Sequence, residues 1–167
     1  MPVNNPKELF VKMLSDVRQR TEQSAKIYAE LSEIAQDPHI KEALQSRAFL
    51  QAKVMSSLDQ CFKLIGEKPM ALSGRLQEVF IEDFRRELAE IQAPAAKALF
   101  VLIRVNQLVH MRIAEYVALI AMADVTGHFG VGVLLESCLA DKLAFVERTR
   151  RLIRQTIEVK HAIRLAA

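Results

Sequence analysis

The chain has no tryptophan, two tyrosines, two cysteines, five glycines and five prolines in 167 residues. So few aromatic rings leave no stacking platform for single-stranded nucleic acid. So few glycines and prolines exclude a fold rich in β-turns or long irregular loops. Cys61 and Cys138 stand in separate segments and neither belongs to a Cys-x-x-Cys pair. They read as small apolar core residues of a chain kept in a reducing compartment. Also absent are a Gly-rich phosphate loop, a Gly-x-Ser-x-Gly elbow and a Cys/His set at zinc spacing.

Long uncharged apolar runs are missing too. The most apolar window, 99–125, carries Arg104, Asn106, Gln107, His110, Arg112 and Glu115, too much polarity for a membrane span. The opening Met-Pro-Val-Asn-Asn-Pro lacks the basic and apolar regions of a signal peptide. The expectation is a cytoplasmic protein with no membrane span.

What remains is helix-forming composition: 51% apolar and 26% charged residues, dominated by Ala, Leu, Glu, Lys, Gln and Arg. That suits one all-α domain over 1–167, with a core at about 6–156 and a basic tail at 157–167. Asn5-Pro6 and Asp37-Pro38 are start signals, an N-cap followed by proline at the first helical position. Leu14, Val17, Thr21, Ser24/Ala25, Tyr28 and Leu31 recur at helical spacing in the first segment. Leu44, Ala48, Gln51, Met55, Leu58, Phe62 and Ile65 do so in the second, which stops at Gly66. After a connection at 67–74, a shorter helix over Gly74–Glu90 presents Leu76, Val79, Phe80, Phe84 and Leu88. Pro94 opens a third long helix to about Val125, Thr126-Gly127 turns, and a fourth covers roughly His128 to Thr156, with the basic tail able to extend it. Short turns make each pair of long helices an antiparallel hairpin. Two hairpins joined by a crossover carrying a short helix form a ferritin-like antiparallel four-helix bundle.

The stretches FVKMLSDVRQRTEQ, LVHMRIAEYVALIAMADVTGH and VLLESCLADKLAF, with the order of elements, resemble the YciE/YciF-like branch of the ferritin-like superfamily, small bacterial stress-associated proteins. The resemblance implies a metal-capable core: a Glu on the first and third long helices and a Glu-x-x-His-type pair on the second and fourth. Those positions are degenerate here. Thr21 stands where a Glu is implied, Phe49 and Ala52 take the pair on the second helix, and Val109 takes the Glu position on the third. Thr21, Gln51, Asn106, His110 and Asp141 are expected to form a satisfied polar cluster there. If a metal is bound, Glu22, His110 and Asp141 are its candidate ligands, with iron, manganese or zinc as the ion. The only literal Glu-x-x-His, Glu158 to His161, lies in the tail and carries little weight. His39 and His128, near helix starts, are expected to face solvent.

The reading leans away from an enzyme. It favours a non-catalytic, metal-free bundle with a structural or partner-binding role, with no cofactor. A homodimer is suggested by Phe100, Leu108, Met111, Leu119 and Met122, apolar residues off the core stripe of the third long helix, unless the crossover helix covers them. One alternative is a metal-binding oxidoreductase or metal store with rearranged ligands. Another is an anionic partner, nucleic acid above all, bound through Arg148, Arg150, Arg151, Arg154, Lys160 and Arg164. A basic helix end is more often simply solvated.

Overall fold

A computed structural model describes residues 3–71 and 75–165, with side chains described as far as residue 158. Among the described residues five helices follow in order: α1 (Pro6–Ile34), α2 (Pro38–Ile65), α3 (Leu76–Glu90), α4 (Pro94–Val125) and α5 (Phe129–Leu165). The caps act as their residue types require. Asn5 Oδ1 accepts from the Glu8 backbone N–H at 2.9 Å, while Glu8 reaches back to the Asn4 N–H at 2.8 Å. Asp37 accepts from His39 and Ile40 N–H groups at 2.8 and 3.1 Å, so α2 starts one tight turn after α1 ends. Gly66 ends α2 at φ 69°, a left-handed conformation that only glycine adopts without steric cost. Gly74, expected to open the crossover helix, lies outside the described residues.

Helices α1 and α2 form one hairpin and α4 and α5 the other; α2 lies against α5 and α1 against α4. The interior divides into two apolar halves. One gathers Tyr28, Leu44, Leu102, Val105 and Phe145, with Phe84 and Leu88 of α3. The other gathers Phe10, Leu14, Leu58, Phe62, Leu119 and Leu135, and it contains both free cysteines. Among the described residues no helix is long and apolar enough to cross a membrane.

The basic tail does extend helix α5 beyond Thr156, its backbone continuing to Leu165, because no glycine or proline interrupts the helix-forming tail. Several expectations change. On α3, Leu76 and Val79 are exposed, and the covered face is Gln77, Phe84 and Leu88. That orientation follows from Gln77, whose amide bonds inward to α1. The apolar residues offered as a dimer seam are used within the chain. Leu108 and Leu119 are buried, Phe100 stacks on Phe84 at 5.6 Å, and Met111 and Met122 pack against the core. His128 is half-buried, its ring stacked 5.9 Å from Phe10.

Leu58 is fully buried while Phe49 is 81% exposed. Urea denaturation is therefore expected to find Leu58→Ala less stable by about 3 kcal/mol and Phe49→Ala changed by no more than about 0.5 kcal/mol.

Candidate functional site

Between the apolar halves lies a layer of buried polar side chains. Helix α1 supplies Thr21 and Ser24, α2 supplies Arg47 and Gln51, α4 supplies Arg112, α5 supplies Lys142 and α3 supplies Gln77; all are buried. Residues four apart share a helix face, so Arg47 and Gln51 project together, as do Arg112 and Tyr116. The layer is crowded with positive charge. Arg47, Arg112 and Lys142 are 1%, 5% and 2% exposed.

Part of that charge is balanced. Arg112 Nη1 donates to Glu115 at 2.7 Å, and Glu115 also accepts from Arg20, which pairs with Asp16 at 2.7 Å. Gln77 closes the set, accepting from Arg112 Nη2 and donating to Ser24 Oγ and the Arg20 carbonyl at 3.2 Å each. One carboxamide thereby ties α3 to both α1 and α4. Buried groups linked in this way polarise one another and hold a unique geometry.

Arg47 and Lys142 are compensated differently. Arg47 sits over the rings of Tyr28 and Phe145, at 5.9 and 5.4 Å from their centroids. The Lys142 Nζ lies 3.8 Å from the centre of the Tyr116 ring and 3.4 Å from the Cys138 carbonyl. Ring faces attract cations but do not neutralise them. Burial, with the nearby charge of Arg47, pulls the Lys142 ammonium down to about 7. Burial pushes the Cys61 thiol up to about 12 and raises Cys138 and both tyrosines. Neither thiol is an activated nucleophile.

The residues expected to line this layer divide. Thr21 and Gln51 are in it. The Thr21 hydroxyl lies near the Tyr116 phenol but donates to the Val17 carbonyl at 2.7 Å. Asn106 is half-buried and accepts from Thr149 at 3.2 Å. His110 and Asp141 are corrections. His110 is exposed, with Nδ1 2.8 Å from the Asn106 carbonyl, and Asp141 pairs outside with Lys53 at 3.3 Å. Each sits one residue, about 100°, off the inward face; Val109 and Lys142 occupy that face. Glu22 is exposed as well, so the three candidate metal ligands do not converge. In the tail, Arg148 pairs with Glu42 at 3.1 Å and Arg150 lies 3.6 Å from Glu147, while Arg151 and Arg154 are exposed. The side chains of Lys160, His161 and Arg164 lie outside the described residues.

Sequence reasoning passed over Arg47, Arg112, Tyr116 and Lys142. Their signal was register: Arg47 is four residues from Gln51, and Lys142 is four from Cys138 and three from Phe145. Long charged side chains are ordinarily assigned to solvent, and that prior hid them.

With this geometry in view, the sequence matches the family described as Domain of unknown function (DUF892) over residues 5–162. The chain belongs to that family. Among solved structures, this DUF892 member is similar to the stress protein YciF of E. coli, at 18% identity over 93% of this chain and 99% of that one, with a TM-score of 0.88. It is similar to YcfI of Rhodopseudomonas palustris, described only as a candidate structural protein, at 23% identity over 89% and 94% of the two chains, with a TM-score of 0.85. A protein of Xanthomonas campestris matches at 18% identity over 94% and 99%, with a TM-score of 0.68. No curated protein matches the sequence. The likeness to these structures establishes the YciF-like, ferritin-like fold.

A ferritin-like bundle implies metal ions between its helices, held by carboxylates and imidazoles. The residues of this layer do not fit such ions. Arg47, Arg112 and Lys142 present N–H groups and positive charge where a cation needs anionic oxygen. Among the described residues no three His, Cys, Asp or Glu side chains gather closely enough to hold a metal.

The buried lysine sets a pH dependence. Lys142 titrates near 10.5 when unfolded and near 7 when folded, so between these values the unfolded chain binds the extra proton. Stability therefore rises with pH across that window, and the full penalty applies below about 7. In dilute buffer, Lys142→Met is expected to raise Tm at pH 7 and flatten the slope from pH 7 to 10, read by calorimetry.

Proposed function

We propose that this DUF892 member is a non-catalytic, cytoplasmic ferritin-like bundle in which a buried cationic, hydrogen-bonded layer stands in place of a metal centre. The observation that carries this reading is the occupancy of the layer by Arg47, Arg112 and Lys142. A bound divalent cation would add charge beside side chains that already repel it. Catalysis finds no support around the layer either, since the thiols and phenol of the adjoining apolar half are held protonated by burial and the carboxylates at the rim are engaged in ion pairs.

The role is structural or partner-binding, and a stress-associated one is supported by the likeness to the E. coli stress protein YciF. A second copy of the chain is the proposed partner. The apolar residues left exposed at the α4–α5 turn support it. Phe129 and Val133 stand one helical turn apart, and Leu64 lies against Gly130 between them.

Elemental analysis after loading with iron, manganese and zinc is expected to find far less than one metal per chain; near-stoichiometric uptake would return the chain to the metalloproteins. Light scattering behind gel filtration is expected to show a dimer that Phe129→Asp with Val133→Asp converts to monomer. A dimer unmoved by that pair of changes would place the interface elsewhere.

A further inference from the structure

Asp16, Arg20, Glu115 and Arg112 pair among themselves, two acids with two bases. Arg47 and Lys142 are left over, nearly inaccessible to water and without a carboxylate partner among the described residues. Unused donors remain beside them: Nε and Nη1 of Arg47, Nε of Arg112 and the Tyr116 hydroxyl, all buried. Among the described residues the hydrogen-bond partner of Lys142 is the Cys138 carbonyl, at a long 3.4 Å. Buried donors and buried charge without counterparts are among the costliest features a core can contain. What this layer lacks is an acceptor carrying negative charge.

We propose that the layer holds one small inorganic anion, of halide size, seated between the Arg47 guanidinium and the Lys142 ammonium. Side chains from facing helices offer their N–H groups separately, and a spherical ion accepts bonds from any direction. A larger oxyanion would need room that close-packed side chains around these buried cations do not leave. The aromatic rings of Tyr28, Phe145 and Tyr116 flank the cations and would keep water from competing for the ion. Held there, the anion would keep Lys142 charged and join α2 to α5 in the interior, whereas the chain's own α2–α5 ion pairs, Lys53–Asp141 and Arg148–Glu42, lie toward solvent.

The inference rests on the reading of the centre as free of metal, and the two fail separately. A layer that takes up neither metal nor halide leaves the metal-free bundle standing and overturns the anion site. The test uses the whole chain. Crystals grown in sodium bromide are expected to show one anomalous peak between Arg47 and Lys142. In solution, sodium chloride is expected to raise Tm above sodium gluconate at equal ionic strength. The rise should reach about 5–10 °C once chloride is about a hundredfold above its Kd. Arg47→Met and Lys142→Met, each checked by circular dichroism, should abolish the chloride-specific increment. No bromide in the layer, or equal Tm in chloride and gluconate, overturns the proposal. So does a chloride increment that persists in both variants. Should either variant fail to fold, the bromide map of the unaltered chain decides alone.

Discussion

Arg112 reaches Glu115 on its own helix and Gln77 on the crossover helix, and through them the polar side of α1. Most of what is distinctive in this bundle depends on keeping charge satisfied at mid-height without water. The apolar halves above and below could pack in several registers, since leucines and valines interdigitate in more than one way. A buried guanidinium tolerates far fewer. Its partners must lie within hydrogen-bond reach, or the desolvation penalty goes uncompensated. Gln77 therefore does more than cover the bundle: it positions α3 and turns Phe84 and Leu88 inward.

The same constraint shapes the layer in which a ferritin-like fold gathers its ionisable groups, at mid-height where facing helices bring them together. The geometry persists here while the sign of the charge is reversed. Carboxylates that could attract a cation lie toward the rim, engaged with Arg20 and Arg112, and the innermost positions hold cations resting against rings.

How much of this was legible beforehand depended on the kind of signal. Helix starts at Asn5-Pro6 and Asp37-Pro38, and the stop at Gly66, are local stereochemistry and survive into the structure unchanged. The inward stripe of α1 was read correctly because its polar members are small. Along α4 the reading put Val109 at the inward position but added its neighbour His110 to the polar cluster, and along α5 it slipped by one residue, choosing Asp141 over Lys142. A helix between two neighbours and a crossover has a wide buried arc, so apolar spacing fixes its orientation only to within about one residue. Charge then misleads, because acids and histidines look like site residues and lysines like surface.

The amino-acid sequence by itself determined the elements, their order and the pairing of hairpins, since caps, breakers and turn lengths act within a few residues. Only the tertiary structure decided which polar residues meet, because Arg47, Gln77, Arg112 and Lys142 come from four helices and nothing local relates them. It likewise decided that the surplus apolar residues of α4 face the chain's own crossover helix and core, a matter of how helices stack rather than how each is spelled.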